Sequence, residues 1–420
     1  MFILKLIGEI LGRKYDYITA ISLSALILLA DNPFIIINSG FQMSFCAMIT
    51  ITIIWPKVVY LINIKSKIAN SIVLSLCIGI FMNPVIAYNY FQLPTYSFML
   101  NIIVVPLLGI VVISAIAGSG MGFLSILMGK TALTPGCLIL EVYTFLCENV
   151  LKIPGAVIVV GKPTIKIIVL YYMVIVFFLF CFTLVRKNYE KDCNIKEMID
   201  ENGKKVISSQ IILKKQRKFD FKIRLAVIGI SILSGFFIYY TPSKGLDIQF
   251  MDVGQGDGIF IKADDGTTIT IDGGSSDVKN VAKYRMIPCI KASGTGVIDY
   301  AVITHADKDH ISGIEEILNM NTENGLTIRN LVMPHVSYED EAYDELLTAA
   351  KTKGIQVLYI KEGDTMKLGK VEIKCIHPDG KYISDNRNDY STVLSLKYEN
   401  FSALFTGDIP AEIEKSIINK

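Results

Sequence analysis

Seven apolar segments, each about twenty residues long, occupy most of the first 241 residues of this chain. A helix of that length matches the hydrocarbon core of a bilayer, so each segment is a candidate membrane span. Their approximate bounds are 17–38, 41–60, 68–87, 97–118, 134–151, 164–185 and 224–241. The sequence therefore predicts a polytopic α-helical membrane bundle over residues 1–185, with a further transmembrane helix at 224–241.

Charge is distributed very unevenly along the chain. Residues 17–185 carry only ten charged side chains, whereas residues 245–420 carry 18 Lys and Arg against 28 Asp and Glu, a net charge of −10. The segment 186–224 is basic, with 12 Lys and Arg against six Asp and Glu. This partition excludes a single soluble domain and a disordered chain, and it predicts a basic linker at 186–223. The eight Cys residues form no CxxC pair, which excludes a disulfide-rich secreted module.

Basic residues near the span ends predict the orientation of the bundle, because Lys and Arg concentrate on the cytoplasmic side. If the spans alternate, one side of the membrane receives the basic segment 186–223 together with Arg13, Lys14, Lys57, Lys65, Lys67 and Lys130. We place that side in the cytoplasm. Seven alternating spans then put residues 245–420 on the outer face of the membrane.

Polar side chains lie in or beside the predicted spans, where lipid offers them no hydrogen-bond partner. They are Asn32, Asn38, Gln42, Asn70, Asn83, Asn89, Gln92 and Asn101. Two interpretations stay open. These residues line an aqueous path through the bundle, or they form ordinary hydrogen bonds between helices and at span ends.

From Leu246 onward, short β-rich runs broken by Gly and Asp replace the apolar segments. The runs are Ile248–Val253, Gly258–Lys262, Thr268–Ile271, Tyr300–Thr304, Leu331–Met333, Val371–Ile376, Val393–Leu396 and Ala403–Phe405. Helical patterns lie between them at about 278–290, 312–320 and 340–352. Strands mixed with helices over this length predict a layered α/β domain at 245–420.

Two imidazoles and two carboxylates fall within six residues directly after the apolar run 301–303. They are His305, Asp307, Asp309 and His310. Neutral imidazole and carboxylate bind borderline to hard divalent ions such as Zn²⁺ or Mn²⁺, so this motif predicts a metal site at a strand end. The alternative is a solvated acidic turn with two incidental His residues.

Another apolar run, 402–405, ends in the sequence Thr406-Gly407-Asp408. A carboxylate at one strand end can complete a metal site built at the end of a neighbouring strand, so Asp408 is a further candidate ligand. Three other carboxylates follow apolar runs or lie in Gly-rich turns, namely Asp252, Asp257 and Asp272. Each of them either shapes a turn near the metal site or holds a ligand in place from behind.

Together these motifs resemble those of a known superfamily. The series from Asp272-Gly273-Gly274 through the His305–His310 motif to Asp408 is similar to that of the metallo-β-lactamase superfamily, whose fold is an αββα sandwich. The DVGQGD stretch at 252–257 and the use of Asp307 in HxDxDH look like those of ComEC-type competence proteins. The stretch GFQMSF at 40–45 is similar to the GFQLSF stretch of their channel domain.

The resemblance implies roles for individual residues. His305 and Asp307 match positions of a first metal site. Asp309 and His310 match a second site, and Asp408 matches a carboxylate shared with it or belonging to it. Asp309 is the residue implied to orient or deprotonate a metal-bound water. One or two Mn²⁺ or Zn²⁺ ions are implied, with phosphodiester hydrolysis as the reaction.

Two departures from the family pattern bear on catalysis. The residues at 388–391 (Asn-Asp-Tyr-Ser) stand where many members place a third His, which favours a single-metal or Mn²⁺-type site. The chain also ends at Lys420 without the HHGS motif that usually follows, and without the usual soluble N-terminal domain. On this pattern we expect a product truncated at both ends, with a metallo-β-lactamase-like domain that is incomplete at its C-terminus.

The function that the resemblance implies is a membrane channel for DNA uptake in natural transformation, in a bacterial plasma membrane, with an outward-facing nuclease-like domain. A single DNA strand would pass through the bundle, and membrane lipid, a competence DNA receptor and a cytoplasmic ATPase would be its partners. The acidic charge of residues 245–420 argues against tight DNA binding there. Two alternatives therefore stay open: a membrane-anchored hydrolase of another substrate, and a transport protein whose metal domain is degenerate and non-catalytic.

Overall fold

Apolar helices of membrane-spanning length form most of the N-terminal half of the protein. A computed structural model describes residues 16–62, 66–198, 245–320, 326–336, 340–379 and 386–419, together with a few isolated positions outside these ranges. The chain divides into two compact units, one helical and the other formed mainly by residues after 240. Within the described residues, five helices are long and apolar enough to cross a membrane: Ser39–Ile62, Ala69–Tyr90, Ser97–Gly122, Ile126–Leu151 and Ile165–Tyr189.

The helices of the first unit are named in chain order. They are α1 (Tyr17–Asp31), α2 (Ser39–Ile62, with a π-helical turn at Thr50–Ile54), α3 (Lys67–Tyr90), α4 (Ser97–Gly122), α5 (Ile126–Leu151) and α6 (Ile165–Met198). Two short strands, β1 (Gln92–Pro94) and β2 (Val157–Val159), follow α3 and α5. α6 continues beyond residue 185, so the predicted linker 186–223 begins as helix. The rest of that linker and the predicted helix 224–241 lie outside the described residues, apart from isolated positions.

The predicted span at 17–38 is not one continuous helix. α1 ends at Asp31 after 15 residues, and a 3₁₀ turn follows at Pro33–Ile37. A residue before proline is pushed out of the helical region, and Asn32 accordingly has a ψ of 101°. The Asn32 side chain then accepts a hydrogen bond from Phe34 N and starts the new turn. The prediction of an unbroken first span is therefore wrong.

Four of the polar residues predicted in or beside the spans form ordinary hydrogen bonds in the described bundle. Asn32 and Asn38 cap the elements that follow them. Asn89 Nδ2 donates to Gln42 Oε1 at 2.9 Å and joins α3 to α2, while Gln42 Nε2 donates to Ile36 O at 2.9 Å. At these positions the helix-packing interpretation agrees with the structure.

The strands of the second unit form two sheets. The first contains β3 (Asp247–Phe250), β4 (Gly258–Lys262), β5 (Thr268–Asp272), β6 (Val297–Val302), β7 (Thr327–Pro334) and β8 (Gln356–Ile360), in that spatial order. The second contains β9 (Thr365–Leu368), β10 (Val371–His377), β11 (Val393–Tyr398) and β12 (Phe401–Phe405), also in that order. β3 to β5 are antiparallel, as is the whole second sheet, whereas β5 to β8 are parallel.

The second unit has two hydrophobic cores, one between the six-stranded sheet and its helices and the other between the two sheets. The helices are α7 (Ile287–Ala292), α8 (Lys308–Asn319), α9 (Glu341–Thr352) and α10 (Ala411–Ile418). Successive strand residues point to opposite faces, so Phe260 packs in the core with α7, α8 and α9 while Ile261 packs in the core between the sheets. Leu331 and Val332 divide in the same way. The predicted class, a polytopic helical bundle followed by a layered α/β domain, is confirmed.

Candidate metal centre

Two neighbouring parallel strands end at the same edge of the six-stranded sheet and carry the first residues of the site. β5 ends at Asp272, which is buried and has a φ of 55°, and β6 leads into Thr304 and His305. Asp272 Oδ1 accepts a hydrogen bond from Thr304 N at 2.8 Å, and Asp272 Oδ2 accepts one from Thr304 Oγ1 at 2.6 Å. These bonds tie the two strand ends together directly beside His305.

His305 is fully buried, and its Nε2 has no hydrogen-bond partner among the described residues. Its Nδ1 lies 3.0 Å from Thr304 Oγ1 and 3.3 Å from Ser391 Oγ. Since the Thr304 hydroxyl donates its single proton to Asp272, it can only accept at Nδ1, which puts the proton of neutral His305 on Nδ1. The lone pair is then on Nε2. A buried nitrogen in this state suits a metal ligand.

His310 lies in the first turn of α8 and faces His305, with 4.1 Å between the ring centroids. Its Nδ1 lies 2.9 Å from Asp272 Oδ2, and its Nε2 lies 3.4 Å from Asp408 Oδ2. Because Asp272 accepts from Nδ1, Nε2 is the atom that can bind a cation. A carboxylate behind the imidazole in this way orients metal-binding His residues in many proteins.

Asp408 follows β12, and a tight turn at Gly407 brings its carboxylate next to His310. Gly407 has a φ of 53°, and a Cβ at this position would lie 3.1 Å from the Cβ atoms of Thr304 and Ser391. A side chain is therefore disfavoured both by the backbone conformation and by the close approach. The three candidate ligand atoms lie within 4.8 Å of one another and belong to His305, His310 and Asp408.

This donor set fits a divalent cation. Two imidazole nitrogens and a carboxylate oxygen are ligands that Zn²⁺ and Mn²⁺ accept. Both imidazole rings are buried, with His305 0% and His310 2% exposed. A solvated turn with incidental His residues does not agree with that burial.

Two residues of the predicted motif lie outside this group of three. Asp307 Oδ2 lies 3.5 Å from His305 Nε2, but Asp307 Oδ1 pairs with Arg387 Nη1 at 3.2 Å. Asp309 is half-buried, and its backbone oxygen accepts a hydrogen bond from Asp257 N at 3.1 Å. The assignment of Asp307 and Asp309 as ligands, and of Asp309 as the catalytic residue, stays a prediction.

Gly-rich loops support the turn that carries the motif. A Cβ at Gly256 would lie 2.3 Å from Asp309 O, and one at Gly274 would lie 2.4 Å from Asp309 C. Only glycine permits such contact, so the 252–257 and 272–274 stretches interlock with the start of α8. Asp257 lies in this interlocked region. Asp252 instead pairs with Arg285 at 2.9 Å on the surface.

The carboxylates give the two imidazoles different pKa values. Burial alone would lower the pKa of His310, but the hydrogen bond and charge of Asp272, with the charges of Asp408 and Asp309, raise it to about 9. Burial, and after it the neighbouring His310, lower the pKa of His305. Near neutral pH the metal-free site therefore holds a protonated His310 and a neutral His305.

Sequence reasoning missed Arg387 and Asp340. Arg387 Nε and Nη2 donate to the two oxygens of Asp340 at 2.6 and 2.9 Å, and Arg387 also reaches Asp307. Neither residue belongs to a motif. One signal was present, since Arg387 is the single Arg between residues 330 and 420.

Comparisons with known proteins agree with both halves of the chain. Residues 1–185 match the family described as competence protein. The whole chain is 22% identical, over 428 residues, to ComE operon protein 3 of Bacillus subtilis (strain 168). That alignment covers 99% of this chain and 50% of the relative, so the chain spans about half the length of the curated relative it matches.

Solved structures that are similar to part of this chain include metallo-β-lactamase-fold proteins. One is YhfI from Bacillus subtilis, 14% identical, with a TM-score of 0.25, covering 36% of this chain and 55% of that one. Another is a metallo-β-lactamase with a HARLDQ motif from Cronobacter sakazakii, 14% identical, with a TM-score of 0.26, covering 40% and 66%. The layered α/β fold of the second unit follows from the strand order of its two sheets and does not depend on these similarities. Residues 1–185 thus match the competence-protein family, and they precede a domain built from a six-stranded and a four-stranded sheet with helices packed against them.

Proposed function

We propose that this protein is a membrane component of DNA uptake in natural transformation, and that its second unit carries a metal-dependent phosphodiesterase or nuclease site. The competence family and the name of the relative support the uptake role. One observation carries the enzymatic part. The buried His305 Nε2, without a partner among the described residues, lies beside ligand atoms of His310 and Asp408.

A divalent ion held by His305, His310 and Asp408 would lower the pKa of a water molecule and polarise a phosphoryl oxygen, the two needs of phosphodiester hydrolysis. The chain's own residues prepare that chemistry. Asp272 Oδ2 accepts a hydrogen bond from His310 Nδ1–H, so that Nε2 is the nitrogen that would bind the ion. Asp309, in the first turn of α8 next to His310, is the residue we propose to orient the attacking water or accept its proton.

We propose Mn²⁺ or Zn²⁺ as the ion. Both metals accept imidazole nitrogen together with carboxylate oxygen. The residues at 388–391 stand where many members of the resembled superfamily place a third His, and the Ser391 hydroxyl lies 3.3 Å from His305 Nδ1. A nitrogen-poor centre favours Mn²⁺ over Zn²⁺ relative to a site with three His ligands.

Charge limits how DNA can bind to the second unit. Residues 245–420 have a net charge of −10, which repels phosphates, whereas sustained DNA binding needs a basic track. We therefore propose that DNA touches this unit mainly at the metal site. A competence DNA receptor would hold the duplex, and a cytoplasmic ATPase would act on the strand that passes through the membrane.

We further propose a multi-pass location in a bacterial plasma membrane, with the second unit outside. The apolar helices support the membrane location. The basic residues at alternate span ends support the orientation.

A second candidate is a transport protein whose metal domain does not catalyse. The pairing of Asp307 with Arg387 favours it, because that pairing engages a carboxylate which the family pattern makes a ligand. A third candidate is a membrane-anchored hydrolase of another substrate, such as a small phosphoester, which the acidic charge of the second unit favours.

The test uses the full chain purified in detergent with Mn²⁺ or Zn²⁺, and compares cleavage of single-stranded DNA with cleavage of a small phosphodiester. We expect Asp408→Asn to lower metal affinity at least about 10-fold and to abolish cleavage. The matched control is Glu372→Gln, which removes an exposed carboxylate on β10. Cleavage of the small ester alone would favour the third candidate, and metal binding without any cleavage would favour the second. A wild-type chain that binds neither metal would overturn the site.

A further inference from the structure

Arg387 is held rigidly beside the metal centre. It begins the 3₁₀ turn Arg387–Tyr390 between β10 and β11, and its Nε and Nη2 donate to both oxygens of Asp340 at 2.6 and 2.9 Å. The Asp340 side chain is only 4% exposed, and it also accepts from Ala342 N at the start of α9. A bidentate pair with a buried, already fixed carboxylate leaves the guanidinium little freedom.

The third guanidinium nitrogen of Arg387, Nη1, faces residues 306 and 307 of the candidate metal-binding motif. Its Nη1 lies 3.2 Å from Asp307 Oδ1 and 3.4 Å from Ala306 O. With the two bonds to Asp340, these contacts occupy four of the five N–H donors of the guanidinium. Arg387 is therefore committed to the two carboxylates.

Asp307 behaves unusually for its position. It stands at the N-cap of α8, where an Asp side chain normally accepts a hydrogen bond from the first turn, yet it makes no such bond. Its carboxylate instead lies between Arg387 Nη1 at 3.2 Å and His305 Nε2 at 3.5 Å. One oxygen of Asp307 thus lies beside His305, and the other is paired with the permanent positive charge of Arg387.

A second metal ion on the His305 side would need Asp307 as a ligand. Its ligand would be Asp307 Oδ2, while Asp307 Oδ1 stays paired with Arg387. The ion would therefore lie close to a fixed guanidinium, whose positive charge repels it. Within the described residues, the hydrogen bonds of Arg387 go to Asp340, Asp307 and Ala306, and none goes to His305, His310 or Asp408.

We propose that Arg387 acts as a fixed cation in place of a second metal ion beside Asp307, and that its charge makes the centre specific for one divalent ion on His305, His310 and Asp408. The inference rests on the metal site of the proposed function. It concerns the number of ions, and it does not depend on DNA being the substrate. Arg387 is thereby a positioning residue that acts through Asp307.

The test measures Mn²⁺ alone, bound to the full chain in detergent, by equilibrium dialysis with metal analysis and by electron paramagnetic resonance. We expect one ion per wild-type chain, with the spectrum of an isolated Mn²⁺. We expect Arg387→Gln to bind two ions. The second ion should bind at least about 10-fold more tightly than any second ion in the wild type, and magnetic coupling between the two Mn²⁺ ions should broaden the spectrum. Arg387→Lys keeps the charge and is expected to stay at one ion.

Two further variants keep the test decisive. Asp340→Asn, which removes the anchor of Arg387 but not the guanidinium, is expected to admit the second ion partially and covers a failure of Arg387→Gln to fold. Arg329→Gln breaks an exposed Arg–Asp pair elsewhere in the second unit and should stay at one ion. Two equally tight ions in the wild type, or one ion in both Arg387→Gln and Asp340→Asn, would overturn the inference and leave the proposed function intact. If the wild type bound neither Mn²⁺ nor Zn²⁺, that result would instead contradict the metal site of the proposed function.

Discussion

Asp272 Oδ2 lies 2.9 Å from His310 Nδ1, and both side chains are almost completely buried at the edge of the six-stranded sheet. The same carboxylate also accepts two hydrogen bonds from Thr304, the residue before His305. One buried acid therefore positions both imidazoles, one directly and the other through a neighbouring hydroxyl. Asp272 thus fixes the geometry of the candidate metal site, while its own oxygens accept hydrogen bonds from Thr304 and His310.

The first prediction concerns this acid. Asp272→Asn should lower the affinity for Mn²⁺ about 10- to 100-fold, because an amide makes the imidazole behind it a weaker base and orients it less firmly. Titration calorimetry on the full chain measures this change. Glu372→Gln on β10 should leave the affinity unaltered, and an unaltered affinity in Asp272→Asn would mean that Asp272 does not support the ligands.

The second prediction concerns pH. The pKa of His310 is raised to about 9 in the metal-free fold, from about 6.5 in an unfolded chain. The stabilisation from its proton is therefore complete below about pH 6.5 and is lost as the pH rises towards 9. Metal binding removes that proton, so Mn²⁺ should stabilise the protein increasingly over the same range. Thermal unfolding between pH 6.5 and 9 should slope downward in a chelator and gain more from Mn²⁺ at each higher pH; equal gains throughout would contradict this.

The third prediction concerns Gly407. Gly407→Ala introduces a Cβ at a φ of 53° and 3.1 Å from Thr304 and Ser391, so it should destabilise the protein and move Asp408. Gly354→Ala is the matched control, since its φ is 69° and no atom lies within 4 Å of the new Cβ. The control should lose only the backbone term of about 1–2 kcal/mol, whereas Gly407→Ala should lose more and also weaken Mn²⁺ binding. Equal losses in both variants would show that the close approach does not matter.

The fourth prediction concerns the bundle. Asn89 Nδ2 and Gln42 Oε1 join α3 to α2 at 2.9 Å. A double-mutant cycle with Gln42→Ala and Asn89→Ala should give a coupling of about 0.6 kcal/mol, with an upper bound near 1.7, as for hydrogen bonds between other membrane helices. Unfolding in mixed detergent measures it. Strict additivity would mean that the contact does not form in the membrane.

The fifth prediction concerns orientation. A reporter inserted at Lys205 should be cytoplasmic, and one fused after Lys420 should be outside, because basic flanks remain on the inner side. Accessibility to a membrane-impermeant label in intact cells measures both positions. The opposite pattern would place the metal centre in the cytoplasm and remove the proposed contact with incoming DNA.

Much of the fold could be predicted from periodicity, and the failures have physical reasons. The edge strands β8 (Gln356–Ile360) and β9 (Thr365–Leu368) were missed, whereas the edge strands β3 and β12, which are equally short and exposed, were predicted from their apolar runs. The break after α1 was missed although Asn32-Pro33 is a helix-ending signal, since hydrophobicity alone runs through it. Element type is local information, whereas an edge strand depends on the neighbour with which it pairs.

The sequence by itself determined the apolar spans, the acidic second unit and the identity of the metal-binding motif, because each is a property of adjacent residues. Only the tertiary structure decided which motif residues meet. The tight turn at Gly407 brings Asp408 next to His310 and His305, and Asp307 forms an ion pair with Arg387. Contacts across about 80 residues or more depend on strand order and loop closure, which no local pattern encodes. For that reason only the folded chain shows which motif residues meet as candidate ligands and which one pairs with Arg387.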